Sequence, residues 1–276
     1  MQDSGIGLRY SSPQDSSGRT MNSTSNPWLV WPRPNPNARL RLFCFPYAGG
    51  GSSIYRHWTN KLQTDLEIIS IELPGRGTRI REEPLNRLAP LVEAAAQAMI
   101  PHLNKPYAFF GHSMGALLSF EMARYLRRHH PQVLAPSHLF VSGRCAPQCD
   151  TGRLLVHNLA ESELVKEIQR LNGTPPEILA DPELRALVLP VLRADFAVWD
   201  TYVYEQEEPL ACPISAYGGL QDPDMTRAQI AEWGEQTSAS FRISMFPGDH
   251  FFIHADEALL LHTMARELSE VISRNS

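Results

Sequence analysis

The sequence predicts an α/β fold in which a mostly parallel central sheet is flanked by helices. Short apolar segments alternate with segments whose apolar residues recur at helical spacing, which is typical of βαβ units. The strand-like segments are nearly continuously apolar, as expected for parallel strands that are covered on both faces. The alternation breaks once, between Cys149 and Cys212, where no convincing strand is found.

The predicted elements follow one another regularly along the chain. Strands are expected where short apolar runs end at prolines, glycines or polar residues, at 40–45, 66–73, 107–110, 138–142, 214–217 and 241–246. Helices are expected where apolar residues recur at helical spacing, at 53–62, 88–103, 114–128, 162–171, 182–202, around Ile230 and at 256–272.

The composition is that of an ordinary globular protein. Of 276 residues, 43% are hydrophobic and 20% are charged, with a net charge of −5. Lys and Arg do not cluster with aromatic residues, so no nucleic-acid partner is predicted. No run approaches the roughly 18 apolar residues of a membrane span, and the polar start lacks a secretory signal. The four cysteines are expected to be reduced thiols in a cytoplasmic protein.

One domain is predicted, preceded by a tail. Residues 1–26 are expected to be disordered, and Met21 begins a segment more typical of a natural start. Residues 27–276 are expected to form the domain, opening with a proline-rich extended segment, 27–36, on its surface. The strandless segment, about 150–205, is interpreted as a helical insertion that forms a lid over the catalytic edge of the sheet. The alternative is that its helices are fixed core.

A nucleophilic serine is predicted from residues 111–115, which read G-H-S-M-G and match G-x-S-x-G. The segment follows a predicted strand and opens a predicted helix. A sharp strand-to-helix turn lifts the serine hydroxyl clear of the sheet, and glycines on both sides allow the backbone to crowd there. This context predicts the α/β-hydrolase fold with Ser113 as nucleophile. The alternative is a Gly-rich turn with an incidental serine.

A second Gly-rich segment, residues 45–51, reads F-P-Y-A-G-G-G and follows the first long predicted strand. It has neither G-x-G-x-x-G nor a trailing Gly-Lys-Ser/Thr, so it does not predict a phosphate site. In a hydrolase this loop donates one backbone N–H to the oxyanion hole, and the residue after the nucleophile donates the other. Ala48 is the predicted first donor, with Tyr47 as the alternative, and Met114 is the second.

The catalytic base is expected late in the chain, because this fold orders its triad as serine, acid and histidine. His250 follows the strand predicted at 241–246 on a turn of small residues. His254 and His262 are rivals expected in or near the last helix, where a histidine is more often a surface residue. His112 is adjacent to the nucleophile and points the wrong way for a base. The sequence therefore favours His250.

The acid is expected after the preceding strand, at 214–217. Asp222 is the predicted acid and Asp224 is the alternative, since both lie in the loop that follows that strand. Either could instead be a turn or helix-capping residue. A buried carboxylate here would hold the tautomer of the histidine and stabilise the imidazolium that forms.

Several segments, taken together, resemble type II thioesterases, the stand-alone editing enzymes of polyketide synthases and nonribosomal peptide synthetases. They include L-F-C-F-P-Y-A-G-G-G at 42–51, L-P-G-R-G at 73–77, F-G-H-S-M-G-A at 110–116, V-S-G-R at 141–144, L-N-G-T-P at 171–175, L-R-A-D at 192–195 and G-D-H-F-F at 248–252. The resemblance runs from about Trp28 to the last helix.

This resemblance implies an α/β-hydrolase with a mobile helical lid that removes acyl groups from the phosphopantetheine arm of carrier proteins. Ser113, Asp222 and His250 match the family's triad positions, and the mechanism requires no metal or cofactor. The alternatives are a generic carboxylesterase, an acyl-CoA thioesterase or a non-catalytic hydrolase-fold protein that binds a carrier domain. An ordered triad argues against the last.

Overall fold

A seven-stranded sheet forms the centre of the molecule in the computed structural model, which describes residues 26–149 and 155–274. The strands are β1 (Leu29–Val30), β2 (Leu40–Phe45), β3 (Leu66–Ile71), β4 (Tyr107–His112), β5 (His138–Ser142), β6 (Ile214–Gly219) and β7 (Phe241–Phe246). Their order across the sheet is β1-β3-β2-β4-β5-β6-β7. Every neighbouring pair is parallel except β1 with β3. The predicted mostly parallel sheet is confirmed.

The continuous apolar runs of the sequence are explained by burial on both faces of the sheet. All residues of β3, β4, β5 and β6 are buried. Neighbouring residues along a strand point to opposite faces, so Phe109 belongs to the core on one side of the sheet and Phe110 to the core on the other. The strands β2, β5 and β7 have the predicted bounds, whereas β4 and β6 continue to His112 and Gly219 and β3 ends at Ile71 rather than at residue 73.

The proline-rich opening segment also contributes a short strand, which the sequence analysis did not predict. Leu29 and Val30 pair antiparallel with Ile71 and Ser70 of β3. The prediction of a surface location is wrong for Leu29, of which only 4% is exposed. Only four residues separate Pro27 from Pro32, which is short for a strand prediction, and the pairing depends on the edge that β3 presents.

Helices cover both faces of the sheet. They are α1 (Leu88–Met99), α2 (Met114–His129), α3 (Glu161–Leu171), α4 (Pro176–Ala180), α5 (Pro182–Asp200), α6 (Arg227–Ala231), α7 (Phe252–Ala255) and α8 (Glu257–Arg274). Helices α1 and α2 pack on one face and α8 on the other. The helix predicted at 53–62 is a 3₁₀ helix, Ser52–Asn60. No helix within 26–149 or 155–274 is both long and apolar enough to cross a membrane.

The predicted insertion between β5 and β6 is helical and consists of α3, α4 and α5 in its described part. Residues 150–154 lie outside the described chain, as does the predicted tail apart from Asn26. The insertion has an apolar cluster of its own, formed by Val156, Leu164, Ile168, Leu179, Leu189, Leu192 and Phe196. This cluster is separate from the two cores of the sheet, although α5 also contributes Val198 to the core that contains α1 and α2.

Candidate active site

Ser113 lies at the sharp turn between β4 and α2. Its backbone has φ 53° and ψ −115°, a conformation that residues other than glycine rarely adopt. Its N–H donates to the carbonyl of Ser142 at 2.7 Å, which ties the turn to the end of β5. A Cβ on Gly111 would lie 2.0 Å from the oxygen of Gly115, and one on Gly115 would lie 2.2 Å from the oxygen of Phe45. Both glycines of the motif are therefore required by close backbone packing.

Asp222 and His250 are paired across the ends of two adjacent strands. Asp222 follows β6 and His250 follows β7, so the parallel pairing of these strands brings the two loops together. His250 Nδ1 lies 2.7 Å from Asp222 Oδ2, and the aspartate side chain is fully buried. This pairing leaves Nε2 of His250 available to take a proton. His250 and Ser113 line the same cavity.

The runner-up aspartate has a different environment. Asp224 forms an ion pair with Arg170 of α3, at 3.1 and 2.9 Å between paired nitrogen and oxygen atoms. Its backbone N–H donates to Asp222 Oδ1 at 2.9 Å. Asp224 therefore connects the acid loop to the insertion, whereas Asp222 contacts the histidine.

The rival histidines lie in helices, as predicted. His254 is in α7, with its Nε2 2.9 Å from the hydroxyl of Tyr47, and His262 is exposed on α8. His112 is fully buried, and its ring centroid lies 5.2 Å from that of His250. Burial, followed by the charges of His250 and His254, holds the pKa of His112 well below its usual range. His112 is therefore a neutral packing partner of His250.

The predicted oxyanion donors are the backbone N–H groups of Ala48 and Met114. Met114 is the first residue of α2, so its N–H has no acceptor within the helix. Ala48 lines the cavity with Ser113, and its N–H has no acceptor in the described part of the chain. The carbonyl of Tyr47 accepts the N–H of Gly50 at 2.9 Å, and Gly49 has φ +77°. The assignment of Ala48 and Met114 as donors remains a prediction.

The cavity at Ser113 is small and is walled largely by the insertion. Its volume is about 40 Å³, room for only about three water molecules. The wall residues from α3 and α5 are Ile168, Leu171, Leu192, Phe196 and Trp199. A longer acyl chain therefore needs these helices to move. The lid interpretation stays a prediction.

We expect backbone amides of α3 and α5 to exchange with solvent faster than those of β4. A lid must bury its apolar face weakly enough to open, so it belongs to the low-stability part of a structure. Hydrogen exchange followed by mass spectrometry on peptides from 155–205 and 107–112 measures the difference directly. Equal protection of the two segments would identify the insertion as core.

Two charged pairs at the site were missed by the sequence analysis. Arg170 binds Asp224, and Arg76 binds Asp195 of α5. Arg76 and Asp195 lie in the segments L-P-G-R-G and L-R-A-D, but no role was assigned to them. The available signal was Asp195 itself, an acidic residue among apolar residues of a predicted helix.

Comparison with known proteins gives a consistent result. Residues 40–268 match the family model of the thioesterase domain. Linear gramicidin dehydrogenase LgrE of Brevibacillus parabrevis is 45% identical over 237 residues, covering 85% of this chain and 89% of that protein. Gramicidin S biosynthesis protein GrsT of Aneurinibacillus migulanus is 43% identical over 254 residues, covering 92% and 98%. The structure of the type II thioesterase BorB from the borrelidin biosynthetic cluster matches with a TM-score of 0.80 and 33% identity, covering 90% of this chain and 100% of BorB.

The name of the first relative refers to a dehydrogenase, but the present chain has no dinucleotide fingerprint. A strand-to-helix turn that binds a dinucleotide carries G-x-G-x-x-G. The turn between β4 and α2 carries G-H-S-M-G instead, and the loop after β2 lacks the fingerprint too. The local sequence at both turns is that of a serine hydrolase.

Proposed function

The chain belongs to the thioesterase family, and we propose that it is an editing enzyme that hydrolyses acyl groups from the phosphopantetheine arm of carrier proteins in nonribosomal peptide or polyketide synthesis. The observation that carries this proposal is the buried Asp222–His250 pair, whose histidine lines the same cavity as the strained Ser113. A protein that only binds carrier domains has no need of this arrangement. The proposal includes a cytoplasmic location, where free thiols persist.

The proposed reaction is a two-step acyl transfer. His250 takes the proton of the Ser113 hydroxyl as the serine oxygen attacks the thioester carbonyl. The N–H groups of Ala48 and Met114 stabilise the oxyanion of the tetrahedral intermediate. The intermediate collapses to an acyl-serine, and the pantetheine thiol leaves with the proton from His250. Water, deprotonated by His250, then attacks the acyl-serine, and His250 returns the proton to the leaving Ser113 oxygen as the carboxylic acid is released. Asp222 stabilises the imidazolium in both steps.

The proposed substrate fits the narrow site beneath the insertion. The phosphopantetheine arm is long and thin, so it can reach Ser113 while the folded carrier protein remains outside. Acyl groups would occupy the apolar space that opens between Leu192, Phe196 and Trp199. Each methylene in an apolar pocket contributes at most about 1–3 kcal/mol to discrimination, and an editing enzyme needs only modest discrimination, so we expect broad acyl tolerance.

Hydrolysis of an acyl panel tests this function. The same acyl groups are presented on phosphopantetheinylated carrier proteins, on coenzyme A and on p-nitrophenol, with the Ser113→Ala variant as control. We expect the highest kcat/KM on carrier proteins, with modest variation among short acyl groups. Equal or higher kcat/KM on coenzyme A or on the phenyl esters would favour an acyl-CoA thioesterase or a carboxylesterase. Failure of a fluorophosphonate to label Ser113 would favour a non-catalytic protein.

A further inference from the structure

The loop that carries Ala48 is hydrogen-bonded by a buried pair of charged residues from two other segments of the chain. The carboxylate of Asp195, in α5, accepts the N–H of Gly49 at 2.7 Å. The guanidinium of Arg76, in the loop after β3, donates to the carbonyl of Gly50 at 3.1 Å. Arg76 and Asp195 also bind each other through two hydrogen bonds, of 2.6 and 2.8 Å. Their side chains are only 9% and 1% exposed, so these bonds are shielded from water.

These contacts act on the Ala48 N–H through the neighbouring peptides of the loop. The N–H of Gly49 belongs to the peptide that joins Ala48 to Gly49, and the carbonyl of Gly50 lies just beyond it. The N–H of Gly50 in turn donates to the carbonyl of Tyr47 at 2.9 Å, and that carbonyl belongs to the peptide that carries the Ala48 N–H. Holding Gly49 and Gly50 therefore also holds the peptide with the predicted oxyanion donor. Charge-assisted bonds of this kind are shorter and stronger than neutral ones.

The pairing with Arg76 also has an electrostatic consequence. An unpaired carboxylate next to the oxyanion hole would repel the negative charge that develops there. The two bonds from the guanidinium compensate the charge of Asp195, so its oxygen can hold the Gly49 N–H without that penalty. Arginine suits this role because its planar fork binds a carboxylate at two points and stays charged at all relevant pH values.

The same face of α5 seals the acyl cavity. Leu192 precedes Asp195 by one helical turn, and a Cβ on Gly49 would lie only 2.6 Å from its Cδ2 atom. When α5 packs on the loop, it therefore places both Leu192 of the cavity wall and the Asp195 carboxylate against Gly49. A displacement of α5 that widens the cavity would also withdraw the carboxylate from Gly49.

We propose, on the basis of the proposed function, that Asp195 and Arg76 are positioning residues that align the oxyanion loop, so that the oxyanion hole is complete only when α5 is docked. The insertion then has two linked roles, closing over the acyl group and completing the site that stabilises its transition state. Neither residue contacts the reacting atoms. Their effect should therefore appear in kcat rather than in KM.

The test separates this role from a purely structural one. In the double variant R76M/D195L an apolar pair replaces the ion pair, a change that often preserves stability. We expect the urea midpoint to stay near that of the wild type while kcat on the acetyl thioester of N-acetylcysteamine falls about tenfold to a hundredfold, the scale of a misplaced catalytic group. KM should change by less than about threefold. The D195N variant retains an oxygen that can accept the Gly49 N–H, so its kcat should fall less than that of the double variant.

A second buried pair provides the matched control. Arg41 and Glu67 are bonded at 2.8 Å, are 14% and 5% exposed, and join the N-terminal ends of β2 and β3, whereas Ser113 follows the C-terminal end of β4. R41M/E67L should keep the kcat of the wild type. The inference would be overturned if R76M/D195L kept the wild-type kcat or changed only KM. It would also be overturned if this variant did not unfold cooperatively. Absence of wild-type turnover would instead refute the proposed function.

Discussion

Replacing Ser113 with alanine is expected to lower kcat by about 10⁴-fold or more on any acyl thioester that the wild type hydrolyses. The loss follows from the chemistry, since no other hydroxyl is placed at the turn between β4 and α2 to accept the acyl group. The fold should survive, because the hydroxyl of Ser113 donates no hydrogen bond to another residue in the described part of the chain. Steady-state kinetics and thermal unfolding measure the two effects separately.

Ser119 supplies a control for the same change. It is a fully buried serine of α2 whose hydroxyl donates to the carbonyl of Ala116 at 2.9 Å, and it does not line the cavity. Ser119→Ala should leave kcat within a few-fold of the wild type. If Ser113→Ala retained a tenth of the wild-type kcat, Ser113 would not be the nucleophile.

The second large effect is expected at Asp222. Asp222→Asn should lower kcat by roughly 10³- to 10⁴-fold, because an amide can stabilise the wrong tautomer of His250 and cannot stabilise the imidazolium. The 2.7 Å contact between Asp222 Oδ2 and His250 Nδ1 is the structural basis for this expectation. The substitution preserves the size of a fully buried side chain, so the native fold should persist. Steady-state kinetics test the loss of kcat, and the unfolding midpoint tests whether the fold persists.

Asp224 is the matched control for the acid. It lies in the same loop, but its carboxylate binds Arg170, and both side chains are partly exposed, at 27% and 43%. The carboxylate bonded to His250 is that of Asp222, so Asp224→Asn should leave kcat within a few-fold of the wild type. The fold should persist as well, because exposed ion pairs contribute little to stability. A larger loss at Asp224 than at Asp222 would show that the assignment of the acid is wrong.

The features that the sequence by itself determined are those encoded over short distances. The strands β2, β5 and β7 were predicted with correct bounds, because an apolar run and its terminating residues are local signals. The elbow around Ser113 was predicted for a similar reason, since G-x-S-x-G is a strand-to-helix turn in which both glycines are needed for close packing. The helical insertion was recognisable because amphipathic periodicity also needs no distant partner.

Only the tertiary structure decided the features that depend on partners distant in sequence. Asp222 and Asp224 are two residues apart in one turn, and the pairing of β6 with β7 determines which carboxylate meets His250. The strand β1 forms because β3 offers an edge. In the sequence, Asp195 cannot be distinguished from an ordinary charged residue on a helix. Its partners Arg76 and Gly49 lie 119 and 146 residues away along the chain, and only the packing of α5 brings them together. Side-chain direction and burial set these contacts, and both arise only when the chain packs.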